Sequence, residues 1–158
     1  MSSFLPQRIV CLTTETVEVI YALGEQERIV GISGFTVRPA QARQEKPRVS
    51  AFTSAKLDRI LALQPDLAIG FSDMQADIAQ ALIKAGVEVW ISNHRSVEGI
   101  LDYVRRLGAL VGATHQAEAY AQQLRLRVDA VRALAARLPR RCTCLASPSE
   151  RMRAAWRA

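Results

Sequence analysis

The sequence predicts an α/β fold, a Rossmann-like parallel sheet flanked by helices and followed by one long helix. Short apolar runs that suit buried strands alternate with stretches whose apolar residues recur every three or four positions. This alternation is typical of β-α-β units. After the last such unit the helical period continues without a break from Thr114 to Leu138, which predicts the long helix.

Four apolar runs are predicted to be the strands of this sheet. They are Arg8–Leu12, Arg28–Ile32, Leu67–Phe71 and Val87–Ile91. Each run ends at small or polar residues, where a buried strand can reach the surface and turn. The stretch from Gly34 to Pro47 is predicted to be a loop, because it carries two prolines among mostly polar residues.

Five helices are predicted from apolar spacing and from residues that cap or end a helix. They are Glu15–Leu23, a helix that begins after Ser54 and ends at Pro65, a helix that begins after Asp73 and ends at Gly86, Val97–Val111, and Thr114–Leu138. Three N-caps are predicted, because a short polar side chain can accept a hydrogen bond from a free amide of the first turn. These caps are Ser54, Asp73 and Ser96. In the fourth helix the spacing predicts four inward side chains, Ile100, Leu101, Val104 and Leu107.

The net charge of +6 is concentrated at the carboxyl-terminal end of the chain. Residues 1–124 contain 12 Lys and Arg against 13 Asp and Glu, whereas residues 125–158 contain nine Arg against two acidic residues. Arginine interspersed with alanine and leucine is typical of a solvated helix face. No motif that reads nucleic acid accompanies the charge, so no nucleic-acid partner is predicted.

The chain lacks the sequence motifs of common enzyme classes. It has no G-x-G-x-x-G or G-K-[ST] loop, no G-x-S-x-G turn, and no paired carboxylates or Cys/His couple at catalytic spacing. Cys142 and Cys144 form one short pair without further ligands, so no metal and no cofactor are predicted. Cys11 lies in an apolar run and is predicted to be a buried, small hydrophobic residue. The sequence therefore favours a binding protein over an enzyme.

No membrane-spanning segment is predicted, because no apolar stretch reaches about 18 residues. The first ten residues lack the basic and apolar regions of a secretory signal. Judged only by this lack of a signal, a cytoplasmic location of the chain as given remains an alternative.

Three stretches, in this order and spacing, resemble one known family. They are Arg8–Gly24 followed by Arg28–Ser33, the unit Leu57–Ile69 with its Leu-Gln-Pro-Asp-Leu turn, and Leu82–Val89. Together they resemble the N-terminal lobe of the class III periplasmic substrate-binding proteins of ABC importers, which capture cobalamin or chelated iron. The resemblance covers residues 8–138 and implies a periplasmic location.

Members of that family have two α/β lobes joined by one rigid helix. The resemblance therefore implies three regions: an N-terminal ligand-binding lobe at 1–112, a connector helix at 113–139, and an atypical tail at 140–158 that is expected to be poorly ordered. The pattern of a second lobe does not follow in this sequence. Since the family's ligand lies between two lobes, this chain is expected to bind its ligand poorly by itself.

Candidate ligand contacts lie where the predicted strands end, because open parallel sheets bind ligands beyond the carboxyl ends of their strands. The polar candidates at this edge are Thr13, Thr14 and Asn93. The aromatic candidates are Phe35, Phe52 and Phe71, which suit a large flat ligand such as a corrin and which match cleft positions of the family. Arg38 is a candidate partner of a ligand carboxylate or phosphate. The alternatives remain that each phenylalanine covers the sheet end and that Arg38 is an exposed loop residue.

The resemblance also implies partners. Asp77 lies close to the place where members of the family carry an acidic residue that pairs with arginines of the membrane permease, although a plain helix-end charge also explains it. The expected function is non-covalent capture of cobalamin, heme or a ferric siderophore for an ABC permease. The alternative is a lone α/β interaction module that does not bind ligand. In either case the chain is expected to self-associate through its cleft side and an apolar stripe of the long helix, formed by Leu124, Val128, Val131 and Leu138.

Overall fold

Five parallel strands form one sheet in the part of the chain that the structure, a computed structural model, describes, which is residues 4–138. The strands are β1 (Ile9–Cys11), β2 (Ile29–Ser33), β3 (Arg48–Ser50), β4 (Leu67–Phe71) and β5 (Glu88–Ser92). Their order across the sheet is β3-β2-β1-β4-β5, and each neighbouring pair is parallel. The predicted parallel sheet is therefore confirmed, with β1 at its centre.

Both faces of the central strands are buried, which explains why those strands read as continuous apolar runs. Ile9 and Cys11 of β1 belong to one core cluster, and Val10 belongs to the other. The same alternation occurs in β4, where Leu67 and Ile69 lie in the first cluster and Ala68 lies in the second. Successive side chains of a strand point to opposite faces, so each face must be covered by helices.

Helices cover both faces. They are α1 (Thr14–Ala22), α2 (Ala42–Glu45), α3 (Leu57–Ala62), α4 (Ala76–Lys84), α5 (Val97–Val111) and α6 (Thr114–Ala136). The first cluster takes side chains from α1, α5 and the first turns of α6, and the second takes side chains from α3 and α4. This layering is the expected Rossmann-like arrangement, and it directs every strand's carboxyl end toward one edge of the lobe.

Of the three predicted N-caps, one is confirmed and two are wrong. Ser96 accepts a hydrogen bond from the Gly99 amide at 3.0 Å, as predicted for an N-cap. The residue before α3 is Lys56, without a side-chain cap, so Ser54 does not cap it. A short 3₁₀ turn precedes α4, and Ser72 accepts from the Met74 amide there, so Asp73 is not the cap. An extra turn thus precedes α4, whereas before α3 the chain forms an isolated bridge between Ser50 and Ala55.

The segment from Gly34 to Pro47, which was predicted to be a loop, contains a short helix that its composition does not indicate. Four of its residues form α2, and β3 follows directly after Pro47. The strand has only three residues, has β2 as its neighbouring strand, and begins at an exposed arginine, and on its other side Ser50 forms an isolated bridge with Ala55. An edge strand of this kind needs no continuous apolar run, because part of its ladder and of its faces meets water. This is why β3 gave no strand signal.

The long helix α6 has 23 residues and matches its prediction closely. The chain divides into two compact units, a lobe up to Leu126 and a second unit from Arg127, so the boundary falls within this helix. In the lobe, Ala117 and Ala121 of α6 are buried in the first cluster and Leu124 packs against it. The second unit is described up to residue 138, so the predicted tail at 140–158, with Cys142 and Cys144, lies outside the described residues.

One predicted core position and one membrane expectation can also be compared with the structure. Ile100 was predicted to point inward but is 44% exposed, because it lies on the flank of α5, whereas Leu101, Val104 and Leu107 are buried. Cys11 is buried, as predicted, and its thiol is free. Between residues 4 and 138, no helix combines the length and the apolar character needed to cross a bilayer.

Candidate functional site

The candidate site is the carboxyl edge of the sheet, where five consecutive strand ends meet. In spatial order, the predicted residues that follow or end these strands are Phe52 at β3, Phe35 at β2, Thr13 and Thr14 at β1, Phe71 at β4 and Asn93 at β5. All strands are parallel, so these positions share one edge. The topology thus brings together residues that are up to 80 positions apart, from Thr13 to Asn93.

Gln75 ties three of these strand ends together. Its side-chain oxygen accepts a hydrogen bond from the Phe71 amide at 2.9 Å. Its side-chain nitrogen donates to the carbonyl oxygens of Phe52 at 2.8 Å and Leu12 at 3.2 Å. Gln75 is fully buried, and Gly70 leaves room for it, since a Cβ on that glycine would lie 2.6 Å from the Gln75 oxygen. This buried amide fixes the mutual placement of the β1, β3 and β4 ends.

The three candidate phenylalanines are accessible to different degrees. Phe35 is 62% exposed, whereas Phe52 and Phe71 are half-buried. An exposed phenylalanine on a loop leaves most of its apolar ring in water, an arrangement that contact with a ligand or partner would relieve. None of the three is buried in the core, which leaves all of them able to offer a ring face or edge at the surface.

A row of aromatic rings continues from Phe71 toward α5. The ring of His94 lies 4.9 Å from the Phe71 ring and 4.9 Å from the Tyr103 ring, and Tyr103 stacks on Trp90 at 5.4 Å. The guanidinium of Arg95 lies 5.1 Å from the centre of the Phe71 ring, within cation–π distance. Neither His94 nor Arg95 was among the predicted site residues, because each was isolated in the sequence.

Tyr103 of this row also belongs to a chain of three buried hydroxyl groups joined by hydrogen bonds. Tyr103 shares a hydrogen bond of 2.7 Å with Thr16, which shares one of 2.9 Å with Thr13. Burial raises the pKa of the Tyr103 hydroxyl well above its usual range, so the phenol stays neutral and can donate. The Thr13 side chain is 2% exposed and is engaged inside the lobe. Its hydroxyl therefore orients the edge, while Thr14, half-buried at the start of α1, is closer to solvent.

Arg38, Asn93 and Asp77 all lie at the surface. The Arg38 side chain is 77% exposed and forms an ion pair of 3.2 Å with Glu18 of α1. Asn93 is exposed directly after β5, and Asp77 is exposed in the first turn of α4. An exposed ion pair contributes little to stability, so Arg38 can exchange its partner at small cost.

Three buried polar atoms at this edge form no hydrogen bond among the described residues, namely the hydroxyl oxygens of Thr36 and Ser50 and the Nδ1 atom of His94. Thr36 and Ser50 follow or end β2 and β3, whose ends are joined by the hydrogen bond from the Gly34 amide to the Ser50 carbonyl at 2.7 Å. Within residues 4–138, no cluster of three or more His, Cys, Asp or Glu side chains could hold a metal ion. The edge therefore offers rings and hydrogen-bonding groups.

Comparison with known proteins agrees with this architecture. The sequence pattern of the family described as periplasmic binding protein matches residues 9–153. The chain is 28% identical over 127 residues to the vitamin B12-binding protein of Vibrio campbellii, an alignment that covers 80% of this chain and 46% of that protein.

Two solved structures share the fold over a similar span. The periplasmic heme-binding protein of Pseudomonas aeruginosa superposes with a TM-score of 0.73 at 30% identity and covers 79% of this chain and 45% of that one. The periplasmic vitamin B12-binding protein of Vibrio cholerae gives 0.73 at 25% identity, covering 84% and 52%. The chain thus spans about half the length of the relatives it matches. From its parallel sheet and this match over nearly its whole length, the chain belongs to the periplasmic binding protein family.

Proposed function

We propose that this chain supplies a ligand-contacting lobe of a substrate-binding protein that captures cobalamin or a similar chelate, heme or a ferric siderophore, for an ABC permease. The observation that carries the proposal is the carboxyl edge, where Phe35, Phe52 and Phe71 follow or end three strands of one parallel sheet. Relatives that share the fold are named for vitamin B12 and for heme, which are both large macrocyclic chelates.

Capture in this proposal is non-covalent. The macrocycle contacts the phenylalanine rings, and its polar rim meets hydrogen-bonding groups of the same edge, including Thr14 and Asn93 and the cation of Arg38. Gln75 holds the strand ends in place before the ligand arrives, so little ordering is needed on binding. Asp77, exposed on α4, is the proposed docking contact with the permease, and the periplasm is the proposed location.

The test is to titrate the chain with cyanocobalamin, hemin and a ferric siderophore and to measure binding by calorimetry or absorbance. Phe35→Ala should weaken binding of the ligand that binds best by about tenfold, because losing one stacking ring costs about 1.4 kcal/mol. The matched control is Phe4→Ala, since Phe4 is fully exposed and lies before β1, at the other edge of the sheet.

Equal affinity in the two variants would contradict the aromatic edge as the binding surface. Binding of none of the three ligands by the wild-type chain at millimolar concentration would favour the second candidate function. That candidate is a lobe that acts through association with a partner. It is supported by large apolar side chains that are exposed on α6, namely Leu126 in the lobe and, within the second unit, Val131 and Leu134, and by the exposed Leu138 after the end of the helix.

A further inference from the structure

A groove lined by four basic side chains lies at the β3 end of the sheet. Its volume is about 620 Å³, and its cations are Arg43 of α2, Arg59 of α3, and Lys46 and Arg48 around the start of β3. Small-molecule sites occupy about 300–1,000 Å³, so the groove has the size of a ligand site. The other residues that line it are apolar, namely Pro47, Val49, Ala62 and Leu63.

The groove is separate from the candidate ligand edge. It is formed at the amino-terminal start of β3 and at the end of α3. The end of α3 lies beside the start of β1, because the Arg8 guanidinium donates to the Leu63 carbonyl at 2.6 Å. The phenylalanines lie at the opposite, carboxyl ends of the strands. A ligand in the groove would therefore not compete with one at the carboxyl edge.

The four cations have no acidic partner among the described residues. None of them forms an ion pair or a side-chain hydrogen bond there, whereas Arg28, Arg38 and Arg105 each do. The two carboxylates nearest in sequence do not line the groove, and one of them, Glu45, accepts a hydrogen bond from Tyr21 at 2.7 Å. Like charges gathered without a counter-charge repel one another, and an anion between them would remove that repulsion.

The charge of the lobe is strongly segregated around this groove. Residues 38–63 contain six Lys and Arg against Glu45 and Asp58, a net charge of +4. Residues 1–124 as a whole carry 12 basic and 13 acidic side chains. Apolar side chains among cations of one sign focus the field on the groove. Arginine forks match the oxygens of phosphate groups in pairs, and three of the four cations are arginines.

We propose that this groove binds a phosphate-bearing anion with at least two negative charges. The shared chemistry is the phosphate group, which a free phosphorylated solute or an anionic lipid headgroup could supply. The proposal does not depend on the identity of the ligand at the carboxyl edge.

The experiment titrates the full chain with inorganic pyrophosphate by calorimetry and tests co-sedimentation with vesicles of phosphatidylglycerol or phosphatidylcholine. Arg59→Glu is expected to weaken binding by about tenfold, and by more at about 50 mM salt than at about 200 mM. Arg59→Gln is a milder second variant. Lys84→Glu is the matched control, because Arg59 and Lys84 are each the basic residue of the last turn of their helix, and only Arg59 lines the groove.

Pyrophosphate binding that is lost in Arg59→Glu but kept in Lys84→Glu supports the proposal with a free phosphate as the source. Binding of phosphatidylglycerol vesicles alone, with the same dependence on Arg59, supports it with a lipid headgroup as the source. Binding that the two glutamate variants reduce equally would overturn it, because the arginines of residues 125–158, present in all variants, would then explain the affinity. Absence of binding to both probes would overturn it as well.

Discussion

At the level of single residues, Gln75 joins three segments of the candidate ligand edge through one fully buried amide. Gln75→Ala would leave the Phe71 amide and the Leu12 and Phe52 carbonyls without their partner. Each buried polar group left unpaired costs about 1–3 kcal/mol, although water entering the gap can recover part of it. We therefore expect the free energy of unfolding to fall by about 2–4 kcal/mol in urea denaturation.

Gln80→Ala is the control for this prediction. Gln80 is exposed on α4, five positions from Gln75, and the same side-chain atoms are removed. Surface substitutions usually change stability by no more than about 0.5 kcal/mol. If the two variants unfold at the same urea concentration, the Gln75 side chain does not hold the strand ends together.

Single residues also show which part of the site can be predicted from sequence. Phe71 and Asn93 were placed at the carboxyl edge because a strand end is readable from an apolar run followed by polar residues. Gln75 was missed because its residue type favours the surface, and burial of an amide depends on partners far away in the chain. Likewise Thr13 was predicted to be a ligand contact from its position at a strand end, and the sequence could not show that its hydroxyl shares a hydrogen bond with Thr16 inside the lobe.

At the level of secondary-structure elements, α5 packs closely against the first turn of α6. A Cβ added to Gly108 would lie 2.1 Å from the Cβ of Ala117. In an exposed helix, Gly→Ala stabilises by about 1 kcal/mol, but here the added methyl has no space. We expect Gly108→Ala to lower the free energy of unfolding by about 1–3 kcal/mol, measured by thermal or urea denaturation.

An exchange of the two residues separates steric conflict from other effects of the substitution. In the double variant Gly108→Ala/Ala117→Gly the contact again contains one methyl group, so part of the lost stability should return. The glycine in α6 lowers helix propensity by about 1 kcal/mol, which limits the recovery. A double variant less stable than Gly108→Ala by the full cost of the glycine would show that the two positions do not touch.

Strands and helices that are buried on one or two faces could be predicted from the sequence, whereas the short elements at the margin of the sheet could not. The strands β1, β4 and β5 and the helices α5 and α6 gave strong periodic signals, because burial on one or two faces fixes which positions are apolar. The edge strand β3 and the single-turn helix α2 have few buried positions, and their arginines read as loop. Such elements are determined by pairing with β2 and by local turns rather than by their own composition.

For the whole molecule, the distribution of charge and of apolar surface has the clearest consequences. The lobe carries a basic groove at one edge of its sheet and aromatic rings at the other. The two proposed ligands would therefore bind at separate surfaces. The experiments above substitute a residue at one edge of the sheet and leave the residues of the other edge unchanged. Charge reversal at Arg59 should leave hemin or cyanocobalamin binding intact, and loss of the Phe35 ring should leave pyrophosphate binding intact.

The last prediction concerns self-association of the chain. Within the second unit, Val131 and Leu134 of α6 are 65% and 62% exposed, and their spacing of three residues places them on one helix face, while Leu138, 68% exposed, follows the end of the helix. Exposed apolar stripes tend to find a partner, and a two-fold dimer is the commonest way for identical chains to cover them. We expect the chain to be dimeric in light scattering at about 10 µM, and Val131→Glu/Leu134→Glu to be monomeric, since two chains would then bury like charges.

Ala133→Glu/Ala136→Glu, which adds the same charge on the opposite face of α6, should remain dimeric. A wild-type chain that is monomeric at this concentration, or a dimer that both variants disrupt equally, would contradict an interface built on this stripe.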